Sequence, residues 1–262
     1  MNFDLQLTFY KYQGTGNDFV IIDNRDYFFP KDNSKLIAFL CDRKYGIGAD
    51  GLILLENDNH SDFKMVYYNS DGSESTMCGN GGRCIVAFAN KLGVIKDKTT
   101  FNAIDGLHNA VVDKDVITLE MIDVSEIKSK EKYFFLNTGS PHHVQFVKNL
   151  KDFDVVKEGA KLRYGLYGKQ GSNINFVEAV DANTFNVRTY ERGVENETLS
   201  CGTGVTAVAL AMHYKEFTKA EHVFINTIGG KLQVSFSKES NGYTKVNLIG
   251  KATLVYKGQI EC

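Results

Sequence analysis

Short apolar runs separated by glycine and polar clusters dominate this chain, and only three stretches carry a helical period. Phe19-Val20-Ile21-Ile22 and Gly51-Leu52-Ile53-Leu54-Leu55 are continuous apolar runs of the kind that form short buried strands. Phe63 to Tyr68 alternates and predicts a further strand, as do the runs His222–Ile225, Lys231–Phe236 and Lys245–Leu248. Residues 34–44 predict a helix, with Ser34 as its cap and Gly46 just past its end. After Cys78, apolar Ile85, Phe88, Ala89 and Leu92 follow at i, i+3, i+4, i+7, and Gly93 can stop the helix. After Cys201, Val205, Val208, Ala209 and Met212 repeat that spacing. Both of these helices are rich in small and apolar residues, which predicts burial. Many strands with few helices point to an α+β fold rather than a regular βαβ alternation.

The chain also repeats itself once. Residues 74–81 and 197–204 both read E-x-x-x-C-G-x-G, which places Cys201 at an offset of 123 from Cys78 (201 − 78). Thr15-Gly16-Asn17 recurs as Thr138-Gly139-Ser140, and Gly48 as Gly171, at the same offset. Tyr68 and Tyr190 precede the cysteine loops at an offset of 122. Matches in one order at nearly one offset indicate a duplicated domain, and the period is far longer than that of a solenoid.

Composition narrows the class. The 43% hydrophobic and 24% charged residues are those of a soluble globular protein, and 262 residues can bury a core without staples. A formal net charge of −2 without a basic stretch gives no reason to expect nucleic acid or an anionic membrane as partner. Met1 to Asp4 lack the basic and apolar regions of a leader, no apolar run reaches membrane-spanning length, and a cytoplasmic location is expected. Five cysteines, an odd number in a chain of this size, argue against a disulfide framework. No C-x-x-C occurs and Cys78 and Cys84 are six apart, so no metal site is expected.

A lone cysteine is most often a small buried hydrophobe, and Cys41 and Cys84 are read that way. Cys78 and Cys201 differ because they occupy equivalent places at the expected starts of buried helices. A helix N-terminus offers backbone N–H groups and partial positive charge, which favour the thiolate. The same N–H groups can bind a carboxylate. Two such loops provide what inversion of a stereocentre needs: one group removes a proton from one face and another donates to the opposite face, with the roles exchanged in reverse.

The motifs Gly14-Thr15-Gly16-Asn17-Asp18-Phe19, Asn69-Ser70-Asp71-Gly72-Ser73-Glu74, Cys78-Gly79-Asn80-Gly81-Gly82-Arg83-Cys84, Gly139-Ser140-Pro141-His142, Tyr190-Glu191-Arg192-Gly193 and Cys201-Gly202-Thr203-Gly204 resemble those of the diaminopimelate epimerase family across nearly the whole chain. The resemblance implies two pseudo-symmetric α/β halves, each wrapping sheet around a central helix. It places the first repeat at 1–130, joined by the tail 253–262, and the second at 131–252. It implies a small-molecule amino-acid substrate, no cofactor, and conversion of LL- to meso-diaminopimelate in lysine and peptidoglycan precursor biosynthesis. Cys78 and Cys201 would be the acid/base pair, with His142 and Glu191 setting their protonation. Asn17, Asn69, Gly79, Asn80, Asn173, Glu191, Arg192, Gly202 and Thr203 would bind substrate. A homodimer is the expected assembly.

Two positions depart from the family pattern: Gly51 stands where many members have Gln, and Ser140 where many have Asn. His142 and His143 on a strand would point to opposite faces, so at most one would face a site. Glu191-Arg192 alone would also suit a surface charge pair, and Asn69 to Ser73 a turn. Two other readings stay open. One is a related racemase of proline-like or short dicarboxylic substrates. Another is a redox or binding module in which the two thiols form a switchable disulfide. A pyridoxal-phosphate racemase is disfavoured, since no lysine stands out in a phosphate-binding context.

Overall fold

The computed structural model describes residues 5–262. Met1 to Asp4, read above for the absence of a leader, lie outside the described residues. In chain order the first elements are β1 (Gln6–Gly14), β2 (Asn17–Asp23), α1 (Ser34–Cys41), β3 (Gly51–Glu56), β4 (Phe63–Asn69), β5 (Glu74–Ser75), α2 (Gly79–Lys91), β6 (Lys98–Ala103), β7 (Gly106–Asp113) and β8 (Val116–Glu120). There follow β9 (Ile127–Ser129), β10 (Phe134–Asn137), β11 (Pro141–Phe146), a 3-10 turn at Leu150–Asp152, α3 (Val155–Tyr167), β12 (Asn173–Ala179), β13 (Thr184–Glu191) and β14 (Asn196–Thr198). The last are α4 (Gly202–Tyr214), β15 (His222–Thr227), β16 (Gly230–Glu239), β17 (Gly242–Lys251) and β18 (Thr253–Glu261). The fold is α+β. It divides into two compact units, residues 1–119 with 251–262, and residues 120–250. Residues 120–130 thus lie with the second unit.

The pairing pattern is the same in both units. In the first, β2 runs antiparallel to β1 and parallel to β3, which pairs antiparallel with β4. β4 is antiparallel to β5 and parallel to β6, and β6–β7–β8 form an antiparallel meander. In the second, β11 is antiparallel to β10 and parallel to β12, which pairs antiparallel with β13. β13 is antiparallel to β14 and parallel to β15, and β15–β16–β17 form the meander. Each parallel pair is bridged by a helix, β2–β3 by α1, β4–β6 by α2, β11–β12 by α3 and β13–β15 by α4, because parallel strands need a crossover. The units differ at one flank: β18 pairs antiparallel with β1, whereas β9 pairs with β10.

The strand registers refine the repeat. Phe19 faces Gly51 across β2–β3, and His142 faces Asn173 across β11–β12. The offset therefore slips from 123 at His142 to 122 at Asn173, and Gly51, Ile53 and Asn69 correspond to Asn173, Asn175 and Glu191. β3 is buried along its whole length, as expected for a parallel strand covered on both faces.

Burial of α2 and α4 follows their composition. In α2, Ile85, Val86, Phe88 and Ala89 are fully buried, with Phe88 against Tyr10 and Tyr12 of β1. In α4 every residue from Val205 to Met212 is fully buried, so apolar side chains serve all round the helix. Gly93, with φ of +72°, ends α2 in the left-handed conformation. α1 differs from expectation. Asn33 and not Ser34 is the cap, its side chain accepting from the Leu36 N–H at 3.0 Å. The helix stops at Cys41, because Asp42 turns extended and its carboxylate accepts from the Lys44 and Tyr45 N–H groups. α3 had no counterpart in the sequence reading. Only Val155, Gly159 and Arg163 are buried in it, so its apolar period is weak.

Candidate active site

Each candidate cysteine caps a helix. Cys78 precedes α2 in an extended conformation, and its Sγ accepts from the Gly81 N–H at 3.2 Å. Its carbonyl accepts from the Gly82 N–H at 2.8 Å. A thiol in this role sits directly on the orphan N–H groups of the first turn. Cys201 precedes α4, and its carbonyl accepts from the Val205 N–H at 2.9 Å. Its Sγ turns to the Thr203 Oγ1 at 3.5 Å. Cys78 is half-buried and Cys201 buried.

Around Cys78 the polar side chains form one chain of hydrogen bonds. Asn17 donates through Nδ2 to Asp50 Oδ2 at 3.0 Å, and its Oδ1 accepts from Asn80 Nδ2. Asn80 Oδ1 accepts from Arg83 Nη2 at 2.9 Å. Asp50 is acceptor-only and Arg83 donor-only, so the two ends fix which way both amides point. Asp50 is held by Arg43 at 2.8 Å, and Arg43 also grips Asp18 with two bonds, of 3.0 and 2.7 Å. Lys11 pairs with Asp18 at 2.6 Å and donates to the Gly48 carbonyl. Burial acts to raise the Asp18 pKa, but the bonds from Arg43 and Lys11 outweigh it and hold it at about 2. Asn69 lies on β4 at the mouth of a turn, with its backbone paired to Ser73 and Gly72 and its Nδ2 donating to Ser73 Oγ at 3.3 Å.

Around Cys201 the network is neutral. Asn175 donates through Nδ2 to the His143 carbonyl at 2.9 Å and to His142 Nδ1 at 3.1 Å, while its Oδ1 accepts from Thr189 Oγ1 at 3.0 Å. A carbonyl can only accept, so the amide orientation is set, and His142 Nδ1 must be the accepting nitrogen. The proton therefore sits on Nε2, which donates to Thr203 Oγ1 at 2.9 Å. The Thr203 hydroxyl thus accepts from His142 and stands 3.5 Å from Cys201 Sγ. His142 is fully buried, and desolvation, aided by the positive charge of Arg192, pushes its pKa down to about 3. The alternation expected for the histidine pair is present: His143, also buried, stacks on Tyr133 and bonds the Tyr167 hydroxyl at 2.9 Å. Asn173 spends its amide inside the protein, donating to Ser140 Oγ at 2.9 Å and accepting from the Arg192 N–H at 2.9 Å. Glu191 accepts from Thr198 Oγ1 at 2.9 Å, and exposed Arg192 donates to the Gln170 carbonyl at 3.0 Å. Gly79 and Gly202 open the two helices and are buried.

The profile of the diaminopimelate epimerase family matches residues 9–121 and 134–255, so both cysteine loops and both networks fall within it. The chain belongs to the diaminopimelate epimerase family. It is 62% identical over 253 residues to the diaminopimelate epimerase of Flavobacterium psychrophilum, covering 96% of this chain and 99% of that one. It is 38% identical over 275 residues to that of Aquifex aeolicus, covering 97% and 98%. Among solved structures, the phenazine biosynthesis protein of the PhzF family from Bacillus anthracis matches with a TM-score of 0.79 at 14% identity, covering 98% of this chain and 99% of that one. A hydroxyproline epimerase from Agrobacterium vitis matches at 0.71 and 15%, covering 99% and 94%. At such identities the likeness is one of fold.

The two departures from the diaminopimelate epimerase pattern have local causes. A Cβ at Gly51 would lie 2.5 Å from the Tyr67 ring and 2.6 Å from the Tyr68 carbonyl oxygen, so the tyrosine ring occupies the space that a longer residue would need. Ser140 is short, and the Asn173 amide reaches it directly. The sequence reading missed Arg83, Asp50, Asn175 and Thr189. The signal for Asn175 was there: a lone amide inside the apolar run from Ile174 to Val177 demands buried partners. Cys41 and Cys84 are buried as expected, and burial raises both thiols, Cys41 to about 12.

Proposed function

We propose that this protein epimerises LL-2,6-diaminopimelate to the meso isomer with Cys78 and Cys201 as the acid/base pair, one thiolate taking the Cα proton and the other thiol delivering one to the opposite face. Membership of the diaminopimelate epimerase family, with a helix-capping cysteine at the same place in both repeats, is the observation that carries this reading. The first repeat, residues 1–130 with the tail 253–262, would supply Cys78, and the second, 131–252, Cys201.

The chemistry is demanding because a Cα proton is a weak acid. Charge that develops on the substrate needs preorganised donors, and the backbone N–H groups at the starts of α2 and α4, with Gly79 and Gly202, suit a carboxylate. We assign Asn17, Asn69, Asn80, Asn173, Glu191, Arg192 and Thr203 to substrate binding. Arg192 can clamp a carboxylate bidentately and Glu191 can meet an ammonium. His142 acts on Cys201 through Thr203, as a neutral Nε2–H donor. Its low pKa is the reason that it serves as an orienter and not as a cation. Glu191, joined to the β14 residue Thr198, would tune the same thiol. We further propose action in the cytoplasm, as a homodimer, within lysine and peptidoglycan precursor synthesis.

Incubation of the reduced protein with LL-diaminopimelate in heavy water, without added metal or coenzyme, tests the reading by NMR. Appearance of the meso isomer with deuterium at one Cα is expected. No exchange with this substrate, together with exchange of proline or a short dicarboxylic amino acid, would assign the chain another substrate.

A further inference from the structure

Arg83 heads the largest fully buried side chains among the described residues. It lies one turn into α2, and among the described residues no carboxylate is within ion-pair range of it. Its bonds go to neutral acceptors: Nη1 donates to the Gly79 carbonyl at 3.0 Å, and Nη2 to Asn80 Oδ1 at 2.9 Å and Thr15 Oγ1 at 2.6 Å. Its Nε is buried without a hydrogen-bond partner. A buried cation costs several kcal/mol unless a negative charge compensates it. A neutral residue of similar length would fill the same space without that cost, so the charge itself needs an explanation. The bonds to Gly79 and Asn80 place the guanidinium under the loop that begins at Cys78.

We propose that Arg83 is a positioning residue whose buried charge selectively stabilises the thiolate of Cys78, while its fork locks Gly79, Asn80 and the left-handed Thr15 around that thiol. Thr15 has φ of +57°, a conformation that a β-branched residue rarely adopts, and the short bond from Nη2 holds it there. Burial lowers the Arg83 pKa to about 10, and negative charge on Cys84 or Cys78 opposes that fall. Of those two thiols, Cys84 is fully buried and its pKa is driven up, which leaves Cys78 as the counter-charge. The other titratable groups near this cluster are Lys11, Asp18, Arg43 and Asp50, joined to Asn80 through Asn17, Tyr12 of β1, which faces Cys84, and the Asp105–His108 pair of β7 and its turn, whose carboxylate accepts from the Met77 N–H. Tyr12 is neutral, its hydroxyl pKa raised by burial, Asp105 accepts a hydrogen bond from His108, and Lys11 and Arg43 are paired with Asp18 and Asp50, so Arg83 is the buried cation of this cluster without a carboxylate partner. The second unit has no such cation. Residue 206, at the offset of 123 from Arg83, is Thr206, whose hydroxyl makes only the corresponding bond, to the Gly202 carbonyl at 3.0 Å.

The inference rests on the reading of Cys78 as an acid/base group. Its test is the pH dependence of iodoacetamide alkylation, resolved by mass spectrometry for Cys78 and Cys201 separately, in the wild-type protein, Arg83→Lys and Arg83→Gln. Both variants lose the fork and only Gln loses the charge. In wild type the Cys78 midpoint should lie below the ordinary thiol value of about 8.5. It should stay within a few tenths of a unit in Arg83→Lys and rise by about one unit or more in Arg83→Gln, with Cys201 unmoved. A wild-type midpoint at or above the ordinary value overturns the proposal whatever the variants do. So does an equal midpoint in folded Lys and Gln variants, which would make Arg83 a structural fork only. Substrate Cα exchange by Cys78→Ala is followed alongside. Meso isomer that still forms there at a near-normal rate would refute the acid/base role of Cys78 and leave the alkylation midpoints to judge Arg83 alone.

Discussion

The first unit places a fully buried guanidinium, Arg83, inside the helix that Cys78 caps, and has apolar Phe19 and Ile53 on its strands. At the corresponding places the second unit has Thr206, His142 and Asn175, three neutral polar groups whose bonds satisfy one another, Thr189 and the backbone. The pairing pattern and the residue type at the cap are the same, and the means of burying polarity is opposite. One thiol is set by a charge without a partner carboxylate. The other lies beside a hydroxyl, Thr203, which accepts from an imidazole that is itself oriented by an amide. A duplicated scaffold can thus hold two thiols, each in its own electrostatic surroundings.

Removing either thiol should have the largest effect. Cys78→Ala and Cys201→Ala should each lower epimerisation by about 10²–10⁴-fold, measured as meso isomer formed per unit time. Near-normal turnover in either would end the symmetry of roles.

The paired glycines should separate the two loops next. A Cβ at Gly204 would lie 2.4 Å from Asn175 Oδ1, an atom fixed by Thr189, whereas a Cβ at Gly81 would meet Cys78 Sγ at 3.1 Å and the flexible Ile53 at 3.3 Å. Gly204→Ala should therefore destabilise by about 1–3 kcal/mol and Gly81→Ala by less, as read by urea unfolding. Equal losses would show that the neutral network is no stiffer than its apolar counterpart.

The histidines predict a slope of stability against pH. His142 and His143 have folded pKa values depressed from 6.5 to about 3 and about 4, so the unfolded chain binds more protons below 6.5. Stability should fall as pH drops through that window, by roughly 2 kcal/mol per histidine between pH 6.5 and 5. His142→Phe, which installs the residue that the first unit has at Phe19, should remove about half of the slope. An unchanged slope would mean that His142 is not buried neutral.

The smallest effect is expected of Thr203→Val. Loss of one hydrogen bond, of about 1 kcal/mol, should raise the alkylation midpoint of Cys201 and leave Cys78 in place. A shift of Cys78 would show that the two networks are not separate.

Much of this was legible in the sequence. The repeat located both cysteine loops, and the period after each glycine pair located α2 and α4, since wholly buried helices write their pattern in every residue. α3 was not legible because only Val155, Gly159 and Arg163 of it are buried. The cap of α1 was placed one residue late because Asn33 and Ser34 are both good caps, and only the geometry chooses. The one-residue slip between His142 and Asn173 hid the correspondence of Ile53 with Asn175, and with it the contrast between the units. Arg83 was visible as a residue but not as a buried one, for nothing in a linear sequence tells a buried arginine from a solvated one.

In the proposed reaction two separate groups, and not one, handle the Cα proton. This is tested most directly by the partition of deuterium at early times in heavy water. A thiol holds a single proton, so a base that has taken the substrate's proton can return only that one, while the second thiol, equilibrated with solvent, labels the product. The account predicts deuterium in newly formed meso isomer and almost none in recovered LL substrate. Equal labelling of both from the first turnovers would contradict it and point to a single exchanging base.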